Sequence, residues 1–232
     1  MNSSATDTCH DPRIDLPSVE EAVAALLAQA QPVAGTEQLD LAHACERVLA
    51  EDLVSPIDVP GFDNSAMDGY ALHSSDLGQA QGEGLAITQR IMAGSTGDPL
   101  EQGSAARIFT GAPLPAGADT VVMQEHCRIE NNRLFLEQPV TAGANIRPRG
   151  NDIAAGRTIL RAGTRLQAAE LGLAASVGLA RVTVYRRLKV AVFSTGDELI
   201  EPGQELAPGR IYNSNRYQLI ALLQASGCEV VD

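Results

Sequence analysis

The sequence predicts a multidomain α+β protein, and three observations lead to that prediction. A helical segment with a capping signal begins near residue 18. Short apolar runs separated by turn signals follow from about residue 76 to 146 and indicate a β-rich domain. From residue 187 onward the pattern is strand, loop, helix and strand, the order of a βαβ unit with a parallel sheet.

Composition excludes several classes of function. The chain has 232 residues, 44% of them hydrophobic and 20% charged, which is ordinary for a globular protein. A net charge of −12 and an aromatic content of 3% argue against nucleic-acid binding, which needs a basic face or stacking platforms. There is no run of 18 apolar residues and no signal peptide, so we expect a cytoplasmic protein without a membrane partner. Four widely separated cysteines are expected to be reduced thiols: Cys9, Cys45, Cys127 and Cys228.

Two helices are predicted before residue 54. Ser18 and Glu21 form a capping box, an apolar stripe follows at helical spacing, and Pro32 marks the end of the first helix. A second, shorter helix is predicted over residues 42–50 with its cap near Asp40. Leu53-Val54 then continues in extended form.

The segment 59–71, VPGFDNSAMDGYA, fits neither helical nor strand periodicity and is predicted to be a site loop. Its oxygen-bearing side chains are Asp63, Asn64, Ser65 and Asp68. Pro60-Gly61 and Asp68-Gly69 are typical turn dipeptides, in which Gly accepts positive φ. Such a loop aims several oxygens at one point, as Mg²⁺ or a proton-transfer step requires. The alternative is a surface turn between strands.

The β-rich region is predicted to consist of antiparallel strands. Asn131-Asn132 separates two apolar runs and predicts a hairpin turn, because Asn tolerates positive φ. The run ARIF leads into Thr110-Gly111 and a proline-rich loop. The Thr110 hydroxyl could bind a ligand oxygen or cap the turn, and both interpretations stay open.

Residues 145–165 concentrate positive charge in an acidic chain. The arginines are Arg147, Arg149, Arg157, Arg161 and Arg165. Guanidinium groups bind phosphate in bidentate fashion, so this segment could hold an anionic ligand; the alternative is a solvated face of ion pairs. Asp152 adds a carboxylate beside the arginines, and residues 167–177 predict a helix that ends at Gly178.

The last segment predicts a ligand site at a strand end. A buried strand over residues 190–193 leads into Ser194, Thr195, Gly196, Asp197 and Glu198. A helix capped within residues 213–215 and ending at Gly227 precedes a further strand. Ligands of parallel sheets bind at the carboxyl ends of strands, and a helix N-terminus favours an anion. Asp197 and Glu198 could also be ordinary loop acids. Because one βαβ unit cannot cover both faces of a sheet, we expect the N-terminal part of a longer protein.

Several ordered motifs resemble the molybdopterin molybdenumtransferase family, which includes the E domain of gephyrin: VPGFDNSAMDGYA, RIFTGAPLPAGADTVVMQE, NIRPRGNDI, AGTRL and FSTGDEL followed by IYNSN. The resemblance implies insertion of molybdenum from molybdate into adenylylated molybdopterin, with release of AMP and help from Mg²⁺. It also implies an elongated homodimer with an active site between subunits. The implied domains are a linker and dimerisation domain (1–54 with 147–186), an inserted β-rich domain (55–146) and the truncated start of an α/β molybdopterin-binding domain (187–232).

Site residues follow from the matching motifs. The catalytic set implied is Asp68, Thr110, Asp152 and Glu198. The substrate-binding set is Arg147, Arg149, Ser194, Thr195, Gly196 and Asn215, and the metal set is Asp68, Asp197 and Glu198. Asn151 stands where the family's Glu is expected, and Pro148 interrupts the arginine run. Other implied partners are molybdate and the upstream molybdopterin adenylyltransferase. The alternatives are a dimerising scaffold of the same fold without catalysis, or an inactive fragment.

Overall fold

The computed structural model describes residues 17–31 and 35–232 of a mixed α/β protein. The chain divides into two compact units: one is Thr36–Arg186, and the other combines Met1–Gly35 with Arg187–Asp232.

The secondary structure contains short helices and many short strands. The helices are α1 (Val19–Gln29), α2 (Leu77–Gly82), α3 (Ala168–Ser176) and α4 (Ser214–Ala225). The strands are β1 (Thr36–Asp40), β2 (Leu53–Val54), β3 (Asn64–Ser65), β4 (Gly69–Leu72), β5 (Leu85–Ile91), β6 (Ser104–Ile108), β7 (Thr120–Met123), β8 (Cys127–Glu130), β9 (Arg133–Leu136), β10 (Ile146–Arg147), β11 (Thr158–Leu160), β12 (Arg181–Tyr185), β13 (Lys189–Ala191), β14 (Leu199–Ile200), β15 (Ile211–Tyr212) and β16 (Glu229–Val231).

Helix α1 confirms the first predicted helix. The Ser18 hydroxyl accepts a hydrogen bond from the backbone N–H of Glu21, and the Glu21 carboxylate accepts one from the backbone N–H of Ser18. This capping box satisfies two of the N–H groups that a helix start leaves unpaired. Pro32, the predicted end of the helix, lies outside the described residues. None of the helices in the described ranges is long and apolar enough to cross a membrane.

The predicted helix over residues 42–50 is wrong. Only a 3₁₀ turn forms, Leu41–His43, and the side chain of Asp40 makes no capping hydrogen bond. Glu46 has φ of 65°, which interrupts a right-handed helix, and Leu49 pairs with Val184 of β12 in a β-bridge. Leu49 is fully buried, so packing against the strands outweighs the local helix propensity. Its core cluster comprises Ala44, Leu49, Leu53, Leu166, Ala174, Val182 and Val184.

A six-stranded sheet forms the middle of the larger unit, in the order β7-β4-β6-β5-β9-β8. The prediction of antiparallel strands is correct for every pair except β5 and β6, which are parallel. The connection over residues 92–103 is long enough to return the chain to the starting end of the sheet, as a parallel pair requires. The predicted hairpin joins β8 to β9, and Asn131 and Asn132 have φ of 50° and 60°.

Both faces of this sheet are covered by aliphatic side chains. Consecutive residues such as Ala71 and Leu72, or Val121 and Val122, belong to different core clusters, because side chains alternate across a strand. Helix α2 contributes Ala80 to one cluster. With so few aromatic residues, the core is built from small and branched aliphatic groups.

The smaller unit contains the predicted βαβ arrangement. Strands β13 and β16 are parallel and α4 lies between them in the chain. A second parallel pair, β14 with β15, forms within the connection.

In the larger unit, α3 confirms the helix predicted over residues 167–177. Gly178 and Gly227, which follow α3 and α4, have φ of 80° and 85°, as expected for helix ends.

Candidate functional site

The segment 59–71 lies between two other segments of the larger unit. On one side, Ser65 exchanges backbone hydrogen bonds with Gly111 (2.8 Å) and Ala112 (3.0 Å) of the loop after β6. On the other, Ala66 donates to the carbonyl of Asn145 at 2.9 Å, and β3 pairs with β10. The three motifs that sequence analysis singled out separately are therefore adjacent in space.

Asp68 and Thr110 form the contact at the centre of this arrangement. The Oδ1 atom of Asp68 accepts hydrogen bonds from the backbone N–H of Thr110 at 2.9 Å and from its hydroxyl at 2.8 Å. Thr110 is exposed and Asp68 is half-buried. The N–H and then the hydroxyl of Thr110 lower the pKa of Asp68, because they stabilise the charged form. Asp68 is therefore a fixed carboxylate, suited to holding a cation or orienting a hydroxyl.

The turns predicted at Pro60-Gly61 and Asp68-Gly69 are not built as expected, because neither glycine has positive φ. Gly69 instead begins β4 in tight contact with β7: a Cβ added there would lie 1.9 Å from the carbonyl oxygen of Val122. The loop is shaped by Ser65, whose hydroxyl donates to the Met67 carbonyl at 2.6 Å and accepts from its N–H at 3.3 Å. Glycine is needed here for close approach of two strands.

Asp58 and Asp63 attach the arginine-bearing segment to the loop. Asp58 accepts hydrogen bonds from the Ala155 N–H at 2.7 Å and from Nε of Arg149 at 2.6 Å, while Asp63 accepts from the Arg149 N–H at 2.7 Å. The Ala155 N–H and then Arg149 lower the pKa of Asp58. Sequence analysis did not single out Asp58. The signal that could have identified it is its position directly before the loop, in a chain with one arginine-rich segment that needs acidic partners.

Ion pairs take up several of the predicted phosphate-binding arginines. Arg147 pairs with Asp152, Arg149 with Asp58, and Arg165 with Glu46. The interpretation as a face of ion pairs thus holds for these three residues. Phosphate binding by Arg147 and Arg149 stays a prediction, since exchange of a carboxylate for a phosphate is compatible with these contacts.

The residues predicted in the smaller unit also meet. Ser194, Thr195, Glu198 and Asn215 line a cavity of about 370 Å³ at the N-terminus of α4. Gly196 and Asp197 do not line it, although the Glu198 carboxylate packs on Gly196, where an added Cβ would be 2.6 Å from Oε2. Ser214, the first residue of α4 and part of the helix N-terminus predicted to favour an anion, lines the same cavity. Exposed backbone N–H groups and hydroxyls are the donors that an anion needs.

The metal prediction is not tested by this geometry. Within residues 17–31 and 35–232 no group of three or more His, Cys, Asp or Glu side chains is placed to hold a metal ion. Asp68 belongs to the larger unit, whereas Asp197 and Glu198 belong to the smaller one. The donor chemistry nevertheless fits Mg²⁺, which keeps several waters and needs only one or two carboxylates when a substrate supplies phosphate oxygens.

Comparison with known proteins defines the class to which this fold and site belong. The family model for the MoeA N-terminal region, domains I and II, matches residues 17–178. A solved structure of the molybdopterin biosynthesis MoeA protein from Pyrococcus horikoshii superposes with a TM-score of 0.83 at 34% identity, covering 91% of this chain and 57% of that one.

Sequence relatives carry the assignment further. The molybdopterin molybdenumtransferase of Haemophilus influenzae is 42% identical over 220 residues, which are 93% of this chain and 53% of that protein. That of a Nostoc species is 45% identical over 200 residues, which are 84% and 46% of the respective chains. The chain belongs to the molybdopterin molybdenumtransferase family. It spans about half the length of these relatives.

Proposed function

We propose that this chain contributes half of a transferase that inserts molybdenum from molybdate into adenylylated molybdopterin and releases AMP. The observation that carries the proposal is the hydrogen-bonded pair of Asp68 and Thr110 on the segment that gave the strongest family resemblance. A pure scaffold has no need of a half-buried carboxylate held by two donors. The substrates, and the upstream adenylyltransferase as a partner, are inferred from the family.

In this proposal some residues bind the substrate and others orient the bond that breaks. The cavity lined by Ser194, Thr195 and Asn215 offers hydroxyl, amide and helix N-terminal donors for the anionic part of the pterin substrate. Arg147 and Arg149, held beside the loop by Asp152 and Asp58, supply positive charge for phosphate. The Thr110 hydroxyl orients an oxygen of the scissile phosphoanhydride, with Asp68 fixing that hydroxyl in place.

Mg²⁺ is part of the proposal, with Asp68 of the larger unit and Asp197 and Glu198 of the smaller unit as its candidate carboxylates. When bound, it would neutralise charge on the phosphoanhydride as that bond breaks. The domain division is likewise proposed: residues 1–54 with 147–186 as an elongated linker, 55–146 as the β-rich domain, and 187–232 as the start of an α/β domain. We place the protein in the cytoplasm, in keeping with the free thiols of Cys45, Cys127 and Cys228.

The proposed function is tested by measuring AMP release from adenylylated molybdopterin in the presence of Mg²⁺, with and without molybdate. We expect molybdate-dependent release when this chain is joined to the C-terminal half of the Haemophilus influenzae relative. The same measurement on the chain alone shows whether that half is required. If the joined protein folds and binds the pterin substrate but releases no AMP, the transferase proposal is wrong and the result favours a scaffold without catalysis.

We also propose that the chain forms a homodimer through α1. Four apolar side chains of this helix are strongly exposed: Val19, Val23, Leu26 and Leu27. Exposed apolar surface of this kind marks a protein interface, and a second copy presenting the same stripe is its simplest partner.

Light scattering is expected to give about twice the chain mass of 24.4 kDa. Replacing Leu26 and Leu27 together by Gln, which keeps helix propensity, should give the single mass. Gln29→Ala on the same helix serves as the control and should leave the dimer intact. A monomeric wild-type chain, or a double variant that still dimerises, would contradict this interface.

A further inference from the structure

The six-stranded sheet places two arginines side by side on one face. Arg90 of β5 and Arg107 of β6 are direct cross-strand neighbours, and Tyr70 of β4 is the neighbour of Arg107 on its other side. Both guanidinium groups lie over the ring of Phe109, with Cζ 4.8 Å and 4.5 Å from its centre. Stacking on a common ring holds both guanidinium groups beside Phe109.

Neither arginine has a carboxylate partner in the part of the chain that the structure describes. The donors of Arg107 go to neutral acceptors: the carbonyls of Gly69 and Ile108 and the side-chain oxygen of Gln124. Arg90 makes no hydrogen bond or ion pair with any described residue. Asp68, close enough to Arg107 for its pKa to be affected, is hydrogen-bonded to Thr110 instead.

Like charges directly opposite each other destabilise a sheet. The protein has a large surplus of carboxylates, with a net charge of −12, yet within residues 17–31 and 35–232 none forms an ion pair with either arginine. Arg128 on strand β8 of the same sheet shows the usual solution, since it also stacks on a phenylalanine but pairs with Glu130 and Glu137. The unpaired arrangement at Arg90 and Arg107 therefore points to an external anion.

The two arginines line an open, shallow cavity of about 520 Å³ at the surface. The hydroxyls of Tyr70 and Thr88 also line it and have no hydrogen-bond partner among the described residues. Ile87 and Ile129 supply an apolar wall, and Ile129 is 43% exposed. The cavity thus combines two positive charges, two hydroxyls and an apolar surface.

We propose that this cavity binds a small phosphate monoester, with the phosphate between Arg90 and Arg107 and the organic group against Ile87 and Ile129. Neighbouring strands are about 4.8 Å apart, so the two guanidinium groups can reach different oxygens of one phosphate. A phosphate monoester carries nearly two negative charges at neutral pH, which matches two arginines better than a carboxylate does. All of these residues belong to the larger unit, and the inference does not depend on transferase activity.

The test is calorimetric titration of the full chain with inorganic phosphate, phenyl phosphate and benzoate at low ionic strength, where weak charge interactions are not screened. We expect saturable binding of one phenyl phosphate, tighter than inorganic phosphate because the ring contacts the apolar wall. Benzoate should bind at least about tenfold more weakly than phenyl phosphate. Benzoate binding as tightly as phenyl phosphate would overturn the assignment to phosphate.

Matched variants distinguish a specific phosphate site from nonspecific attraction of anions to positive charge. Arg90→Gln should weaken phenyl phosphate binding at least about tenfold, the loss expected for one charge-assisted contact, while Arg128→Gln should leave it unchanged. Arg90→Lys, which keeps the charge but loses the planar fork, should give an intermediate affinity and guards against a folding defect in the Gln variant. Equal weakening in the Arg90→Gln and Arg128→Gln proteins, or no saturable binding to the wild type, would overturn the proposal.

Discussion

Asp68→Asn is expected to lower molybdate-dependent AMP release at least about a hundredfold in the chain joined to the C-terminal half of the Haemophilus influenzae relative. That loss corresponds to about 2.7 kcal/mol of transition-state stabilisation. The reason is that Asn keeps the shape of the side chain but removes the negative charge that the Thr110 N–H and hydroxyl hold in place. Glu198→Ala should lower AMP release by a similar factor, since Glu198 is the predicted catalytic carboxylate in the cavity at the N-terminus of α4.

Two controls make this result interpretable. Asp98→Asn removes an exposed carboxylate of the same unit. Asp98 contacts the Gln89 side chain only through its backbone N–H and carbonyl, so the variant should keep wild-type activity. The midpoint of thermal unfolding of the Asp68→Asn protein should stay within a few degrees of the wild type, because the amide oxygen of Asn can still accept from the Thr110 N–H. Turnover near the wild-type level in both Asp68→Asn and Glu198→Ala would remove these residues from the mechanism.

Gly69→Ala is expected to be the most destabilising single methyl addition in the larger unit. The new Cβ would lie 1.9 Å from the carbonyl oxygen of Val122, and the two residues belong to the paired strands β4 and β7. The strands must separate to relieve the overlap, which should cost about 3 kcal/mol or more. The midpoint of thermal unfolding should fall by roughly 6–12 °C for a chain of this length.

Gly172→Ala is the matched control for that experiment. Gly172 lies inside α3, and nothing stands within 4 Å of the position its Cβ would take. Alanine is the better helix former, so this variant should be more stable by about 0.5–1 kcal/mol. If Gly69→Ala unfolds at the same temperature as the wild type, the close approach of β4 and β7 is not what requires glycine.

Local signals were sufficient where the structure depends on neighbours in the chain. The capping box of Ser18 and Glu21, the turn at Asn131 and Asn132 and the glycine after α3 all act within a few residues, and all three were predicted correctly. The β-rich character of residues 76–146 was predictable for the same reason. The segment 59–71 was recognised by the absence of any regular periodicity.

Long-range contacts explain the errors. Residues 42–50 have good helix propensity, but burial of Leu49 against Val184, far along the chain, draws them into a β arrangement. The parallel pairing of β5 and β6 depends on the path of the connection between them. Gly69 was assigned to a turn because the carbonyl of Val122 that excludes a side chain lies outside any sequence window.

The sequence by itself determined the class of fold, the family and the candidate residues, because composition, periodicity and ordered motifs are properties of the chain. Only the tertiary structure decided how those residues combine. It brings Asp68 into contact with Thr110 and uses Asp58 and Asp63 to hold the arginine segment. It also makes Arg90 and Arg107 cross-strand neighbours with no ion pair to any described carboxylate. Each of these is a contact between residues distant in sequence, and which distant residues meet depends on packing of the whole unit.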